Sequence, residues 1–327
     1  MGSAVYLAAI AIGGSIFNML YWPFAFLRMG SSGMTAQAFG SNDKQYSLVL
    51  YRSLLVAIIV GIAIIAFQYL IAQCAFYFMR ITNDTLFYSQ KYFSICIWGA
   101  PAMLGSYAVS GWLIGMQNSR ATMWISIFVN LLNITCSLVM VYQFDMGIIG
   151  VATGTLIAQW GGFLLGLTII SFKYALSSAS LSNILQRQEL NRFFSINADI
   201  FLRTLCLVAV TLWFTRAGAQ QNNTILAVNT LLMQLFMLFS YFMDGFAYAG
   251  EALAGKYIGA KQPAKLKLCI KALFAWGMAM AGIFTAIYLF GGNPFLSLLC
   301  SENEIIEASA TYFYWAVAIP ACGFMAF

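Results

Sequence analysis

Long apolar runs separated by short polar breaks restrict how this chain can fold more than any other feature. Each run is about 20 residues or longer, the length that an α-helix needs to cross a hydrocarbon core about 30 Å thick, and none alternates like a strand. Hydrophobic residues make up 62% of the chain and charged residues only 8%, against about 25% charged residues in soluble domains. The hydrocarbon core offers no hydrogen-bond partners to backbone N–H and C=O groups, so only helices and closed barrels cross a membrane. We therefore predict an all-α polytopic membrane protein and set a β-barrel aside.

The polar breaks divide the chain into about nine predicted spans. These are 4–39, 47–79, 86–116, 121–142, 147–172, 194–214, 224–257, 266–290 and 305–327. Several are longer than a bilayer requires, which predicts tilts or kinks, and Pro23 is the expected kink in the first run. Because apolar sequence begins and ends the chain abruptly, we expect truncation at both ends.

The basic residues predict the orientation of the spans. One set of alternate connections holds eleven of them: Lys44, Arg52, Arg120, Lys173, Arg187, Arg192, Lys256, Lys261, Lys265, Lys267 and Lys271. The other set holds three: Arg80, Lys91 and Arg216. Positively charged loops stay on the cytoplasmic side. We therefore predict a multi-pass inner-membrane protein whose loops at Lys44, Arg120, 173–192 and 256–271 are cytoplasmic. Orientation explains the net charge of +6 better than nucleic-acid binding does.

The longest polar connection divides the chain into three parts. It is rich in Ser, Asn and Gln, and it carries Leu176, Leu181, Ile184 and Leu185 at roughly helical spacing. We predict a cytoplasmic linker with an interfacial helix at 173–193. Five spans precede this linker and four follow it, so 1–172 and 194–327 are predicted to form an N-lobe and a C-lobe bundle. A parallel repeat fits this arrangement.

Two acidic residues interrupt the apolar run at 224–257. Asp244 and Glu251 are seven residues apart, about two helical turns, so they project from nearly the same face of a helix. A carboxylate at membrane depth is costly and is by default a candidate for ion or substrate transport. We therefore predict that both belong to a transport site.

The charged residues lie at two predicted depths. At about 1.5 Å per residue, Arg203 is about 16 Å and Asp244 about 18 Å from the basic residues that end their helices, near the bilayer midplane. Asp199 and Glu251 are about 10 Å and 8 Å deep. We predict a network of these four residues in which the carboxylates alternate between a proton and cargo, or between a proton and Arg203. A permanent structural ion pair between Arg203 and Asp244 is the alternative.

Amide and aromatic side chains complete the predicted site. Amides can bind a cation or a cargo amine, and a tyrosine ring can bind a lipophilic cation, although both serve equally in helix packing. These candidates are Asn197, Asn229, Gln234 and Tyr241. In the first half of the chain the candidates are Asn18, Arg28 and Gln37.

Two long stretches of the chain resemble a known family. FAFLRMGSSGMTAQAFG at 24–40, and the sequences at 197–220 and 225–260 with YFMDGFAYAGEALAGK inside the last, are similar to the multidrug and toxic compound extrusion (MATE) family, in its DinF-type branch. The resemblance implies two bundles of six helices. This chain would hold helices two to ten, so the N-lobe would lack its first helix, which carries a coupling aspartate in the family, and the C-lobe its last helices.

The same resemblance implies a function. It predicts a secondary active antiporter that exports organic cations or drugs in exchange for H⁺ or Na⁺ by alternating access. We expect a monomer in the bilayer, with a lipophilic cation as cargo and no cofactor beyond the coupling ion. The absence of histidine and of a Cys-x-x-Cys spacing argues against a metal or redox centre.

A membrane enzyme and a flippase are the two other classes of function. A membrane enzyme would need convergent His, Asp or Ser groups, and the chain has no histidine, so we predict that it is not an enzyme. A flippase for a lipid or lipid-linked saccharide, which related folds perform, is the alternative, because a buried arginine suits an anionic headgroup. Only Arg28 and Arg203 qualify as such arginines, whereas the carboxylates favour organic cations.

Overall fold

A computed structural model describes residues 4–42, 45–79, 83–177, 180–221, 223–299 and 303–326, and Lys44 of the predicted cytoplasmic loops lies outside them. The described residues are helical apart from short connections. The α-helices are α1 (Ala4–Tyr21), α2 (Phe26–Gly40), α3 (Tyr46–Ala66), α4 (Gln68–Met79), α5 (Asn83–Cys96), α6 (Ala100–Gly115), α7 (Ser119–Tyr142), α8 (Gly147–Lys173), α9 (Leu181–Ile184), α10 (Arg187–Gln221), α11 (Asn223–Gly259), α12 (Pro263–Leu299) and α13 (Asn303–Gly323). Three short 3₁₀ helices are Trp22–Ala25, Ile97–Gly99 and Phe324–Ala326.

Eight helical segments within the described residues are long and apolar enough to cross a membrane. They are Val5–Gly40, Tyr46–Ala66, Thr85–Gly115, Ser119–Tyr142, Gly147–Lys173, Arg187–Thr211, Ala227–Gly259 and Pro263–Gly292. These segments correspond to the first eight predicted spans, and the prediction of an all-α polytopic membrane protein is confirmed. The last predicted span corresponds to α13 and the 3₁₀ turn after it, and Phe327 at its end lies outside the described residues.

Interruptions divide the long predicted spans where the backbone cannot continue as a regular α-helix. At Pro23, where a kink is expected, the 3₁₀ helix Trp22–Ala25 separates α1 from α2. Proline lacks the amide hydrogen that a helix interior needs, and a 3₁₀ turn accommodates it. A second interruption, at Ile97–Gly99, precedes Pro101 in the first turn of α6.

The polar connection after α8 contains one short helix, and its position at a membrane interface stays a prediction. The expected interfacial helix is a single turn, Leu181–Ile184, and α10 begins at Arg187, inside the predicted linker. Leu176 packs against the buried cluster that contains Trp112 and does not belong to a helix. Leu176 therefore contacts the bundle, whereas Leu185 is 49% exposed. Gln, Arg, Glu and Leu, which favour helices, extend α10 towards its N-terminus.

The chain divides into two compact units, Met1–Leu202 and Arg203–Phe327. The first unit holds two buried clusters, one centred on the aromatic residues of α1 and α5 and one around Trp112 of α6. The second unit holds one cluster from α11, α12 and α13, which includes Phe239 and Tyr288. The division falls inside α10, and the predicted lobe boundaries at 172 and 194 stay a prediction.

Small residues allow the helices of the first unit to pack closely. On α8 a small residue recurs at every fourth position and is buried each time: Gly150, Gly154, Ala158, Gly162 and Gly166. A Cβ atom on Gly154 would lie 2.7 Å from the backbone nitrogen of Ser137 on α7, closer than real contacts allow. Without a hydrophobic driving force between helices in lipid, such close approach supplies much of the packing energy.

The contact between α2 and α6 depends on glycine in the same way, and it provides a test. A Cβ atom on Gly111 of α6 would overlap the carbonyl oxygen of Arg28 and lie 3.0 Å from the Cα atom of Arg28. Because the obstacle is backbone, Gly111→Ala is expected to destabilise the folded protein by about 1–3 kcal/mol.

The measurement is the midpoint of thermal unfolding in detergent, with Gly14→Ala as the matched control. A Cβ atom on Gly14 would have no heavy atom within 4 Å. In Gly14→Ala, α1 therefore gains the higher helix propensity of alanine without a steric clash. Equal midpoints for the two variants would contradict the close contact between α2 and α6.

Candidate functional site

The two acidic residues of α11 both lie at the edge of the core of the second unit. Asp244 and Glu251 are half-buried, and Met243 beside Asp244 is only 3% exposed. Each of the two residues interacts with a neighbouring group. Both residues lie within the membrane-spanning segment Ala227–Gly259, so the structure holds two acidic side chains on one face of a membrane helix.

The other predicted residues of α11 are placed differently. Asn229 is half-buried, whereas Gln234 is exposed and Tyr241 is 71% exposed. On a membrane helix an exposed tyrosine is typical of lipid contact or of a bundle surface. The burial of the carboxylates therefore separates Asp244 and Glu251 from Gln234 and Tyr241.

Asp199 and Arg203 lie one turn apart on α10, and both side chains are exposed. Arg203 interacts with a neighbouring group. The predicted network of Asp199 and Arg203 with Asp244 and Glu251 stays a prediction.

Asn197 is the one predicted residue of α10 that is deeply buried, at 2% exposure. Its side-chain amide donates a hydrogen bond to the carbonyl oxygen of Phe193, 2.7 Å away, within its own helix. The amide also packs against Gly30 of α2, where an added Cβ atom would lie 2.8 Å from Cγ of Asn197. Its Oδ1 atom accepts no hydrogen bond from the part of the chain that the structure describes. The amide thus fills the contact between α2 and α10 and leaves one acceptor available there.

The three candidates in the first half of the chain lie on α1 and α2. Asn18 is exposed, and Arg28 and Gln37 are half-buried. The backbone of Arg28 meets Gly111 of α6, and Arg28 also interacts with a neighbouring group.

Sequence reasoning missed a group of buried polar side chains inside the first unit. Tyr21, Tyr92 and Cys96 are 4%, 7% and 2% exposed, and Tyr92 lies beside both Cys96 and Thr155. The Cys96 thiol donates to the carbonyl oxygen of Ala152 at 3.6 Å. The Tyr21 hydroxyl has no hydrogen-bond partner among the described residues. The available signal was the spacing of Tyr92 and Cys96, one helical turn apart in an apolar run.

A protein-family model matches most of the chain. The model of the family described as MatE matches residues 1–139 and 198–326, which covers long apolar helices of both compact units. The chain belongs to the MatE family. Members of this family, named for multidrug and toxic compound extrusion, are membrane transporters of small molecules, and the predicted resemblance is confirmed.

Curated MatE relatives match along nearly the whole chain. DNA damage-inducible protein F of Escherichia coli is 31% identical over 326 residues, which are 99% of this chain and 71% of that protein. This match confirms the predicted DinF-type branch. An uncharacterized transporter of Bacillus subtilis is 24% identical, over 93% of this chain and 68% of that protein. A probable multidrug resistance protein of Idiomarina loihiensis is 23% identical, over 94% and 68%.

Solved structures of membrane transporters share the fold. An outward-facing multidrug resistance transporter of the family aligns with a TM-score of 0.83 at 21% identity, over 97% of this chain and 73% of that one. A transporter from Pyrococcus furiosus aligns with a TM-score of 0.85 at 19% identity, again over 97% and 73%. At these identities the likeness shows the fold alone.

Proposed function

We propose that this MatE protein is a secondary active antiporter that exports organic cations in exchange for H⁺ or Na⁺. The observation that supports it best is the pair of half-buried carboxylates, Asp244 and Glu251, on one face of α11 within a membrane-spanning segment. A carboxylate in such a place can bind a proton, a metal cation or an organic cation, and it can exchange one for another. That exchange is the chemical step that antiport requires.

The proposed cargo is a lipophilic cation. Two carboxylates among mostly apolar side chains favour a positive charge on an apolar body, and the relatives described as multidrug resistance proteins support the same class. Arg203 would compete with cargo and proton for the carboxylates, and Asn229 would line the path. The roles predicted for Asp199, Asn197, Gln234 and Tyr241 in cargo binding stay predictions. In the first unit, Asn18, Arg28 and Gln37 are the proposed polar contacts.

The proposed setting is the bacterial inner membrane, with the protein as a monomer. We propose that the connections at Arg120, 173–192 and 256–271 face the cytoplasm. The exposed lysines at the start of α12, Lys265 and Lys267, support this orientation because basic residues stay on that side. We propose that transport needs no cofactor beyond the coupling ion.

Ethidium efflux from vesicles tests the proposal. The protein is reconstituted, ethidium is loaded, and a pH gradient and a Na⁺ gradient are imposed separately. We expect one of the two gradients to accelerate efflux at least about tenfold over protein-free vesicles, because exchange at a carboxylate couples cargo exit to ion entry.

The control is the same protein with both gradients collapsed by an ionophore. Efflux that ignores both gradients would contradict ion-coupled antiport. Movement of a fluorescent lipid analogue between leaflets, without ethidium efflux, would support a flippase instead.

A further inference from the structure

Arg52 of α3 is one of the largest fully buried side chains of the protein, at 2% exposure, and all of its nitrogen atoms are occupied. Nε donates to the carbonyl oxygen of Ile184 at 3.1 Å, and Nη2 donates to that of Asn183 at 2.9 Å. Nη1 lies 3.5 Å from the Glu189 carboxylate. Arg52 is predicted above to belong to a cytoplasmic connection, whereas it lies in α3 and its partners lie in the segment that follows α8.

Two neighbours of Arg52 bind the same segment further upstream. The backbone N–H of Ser177 donates to the hydroxyl of Ser47 at 3.3 Å, and the hydroxyl of Tyr51 donates to the carbonyl oxygen of Ser177 at 3.3 Å. Both backbone groups of Ser177 are therefore held by α3. Ser47 and Tyr51 are one turn apart, so they present these groups side by side.

A third attachment lies where the segment leaves α8. The side-chain amide of Asn118 donates to the hydroxyl of Tyr174 at 2.9 Å. The Tyr174 ring meets the buried Trp112 ring edge to face, with 5.0 Å between their centroids. Residues 174–177 and 180–189 are thus attached to the first unit at Tyr174, at Ser177 and between Asn183 and Glu189.

We infer that Arg52 is a positioning residue that, with Ser47 and Tyr51, clamps segment 174–189 onto α3 and so sets where α10 begins. We call these three side chains and the segment that they hold the linker clamp. The linker therefore moves as part of the first unit. Segment 174–189 lies between the two stretches that the MatE model matches, whereas Ser47, Tyr51 and Arg52 lie inside the first of them. Its consequence for transport rests on the proposed function, but the clamp itself does not.

The chemistry of arginine fits this role. The two carbonyl groups belong to the last turn of α9, where helix carbonyls lack partners within the helix and a positive charge is favourable. Glu189 lies in the first turn of α10, where a carboxylate is favourable. The planar guanidinium can serve both helix ends at once because its donors point in fixed directions, whereas a lysine offers a compact point charge.

Hydrogen–deuterium exchange of the unliganded protein in detergent tests the clamp. Arg52→Gln is expected to accelerate exchange across 174–189 at least about tenfold while exchange in α6 and α8 stays unchanged, because only the segment loses its attachment. Arg52→Lys is expected to restore part of the protection. Glu189→Gln is expected to have the smaller effect, since two carbonyl bonds to Arg52 remain.

Arg192→Gln is the matched control, because it makes the same substitution at an exposed arginine of α10 and should change exchange in 174–189 less than about twofold. If Arg52→Gln does not fold, Tyr51→Phe removes a single hydroxyl and should raise exchange around Ser177 about threefold. Unchanged exchange in 174–189, or acceleration spread equally over α6 and α8, would overturn the inference.

Ethidium efflux supplies the readout that separates positioning from a purely structural role. Arg52→Gln is expected to lower the maximal efflux rate per folded protein several-fold while the half-saturating ethidium concentration stays unchanged. An unchanged rate per folded protein would overturn the positioning of α10 for transport. If the unsubstituted protein shows no gradient response, the proposed function fails, and the exchange result still decides the clamp.

Discussion

Replacing Asp244 by asparagine is expected to reduce gradient-driven ethidium efflux at least about tenfold while the protein remains folded. Asparagine keeps the size of the side chain but cannot carry a charge or exchange a proton. If the half-buried carboxylate is the coupling group, this loss removes the step that links ion entry to cargo exit. A tenfold loss of rate corresponds to about 1.4 kcal/mol at the limiting step. Initial efflux rates are measured in vesicles under the effective gradient, and thermal unfolding is measured in parallel.

Asp145→Asn is the matched control. Asp145 is an exposed acid between α7 and α8, and its φ of 49° is one that asparagine tolerates well. Efflux by this variant should equal that of the unsubstituted protein. Retained efflux together with a lower unfolding midpoint in Asp244→Asn would instead identify Asp244 as half of a structural ion pair.

Replacing Trp112 by alanine is expected to lower the free energy of unfolding by about 3–5 kcal/mol. The substitution removes the largest fully buried side chain among the described residues of the first unit and leaves a cavity in its place. The indole is 0% exposed and lies against the rings of Tyr46 and Tyr174. Its Nε1 donates to the carbonyl oxygen of Tyr46 at 2.8 Å. Thermal and urea unfolding in detergent measure the loss.

Two further substitutions separate the causes of that loss. Trp112→Phe keeps most of the ring and removes the hydrogen bond, so its cost should be the smaller one. Trp124→Ala truncates a tryptophan of α7 that is 61% exposed, and it should cost less than about 1 kcal/mol. Similar losses for Trp112→Ala and Trp124→Ala would contradict the importance of the buried cluster around Trp112.

The helices of this protein could be predicted from the sequence because each long apolar run has essentially one stable structure in lipid. The interruption at Pro23 could be predicted for a similarly local reason, since proline removes a backbone donor wherever it stands. The length of the linker helix could not be predicted in this way. Leu176 and its neighbours have helical spacing, but the helix there spans Leu181–Ile184, and Ser47, Tyr51 and Arg52 bind backbone groups of the same segment.

Burial within the candidate site could be predicted only in part. The sequence placed Asp244 and Glu251 on one face of α11, because seven residues complete about two turns in any helix. Gln234 and Tyr241 were predicted to belong to the same site, although both side chains are exposed in the structure. Which side of a membrane helix meets protein and which meets lipid depends on the neighbouring helices, since both environments are apolar.

The sequence by itself determined the all-α membrane fold, the order of the helices and membership of the MatE family. Each follows from composition or from residues that lie close together along the chain. Only the tertiary structure decided what Arg52 and Asn197 do. Arg52 binds partners between 131 and 137 residues further along the chain, and Asn197 packs against Gly30 of α2. A side chain's role depends on what folding brings within a few ångströms of it, and sequence spacing does not encode that distance.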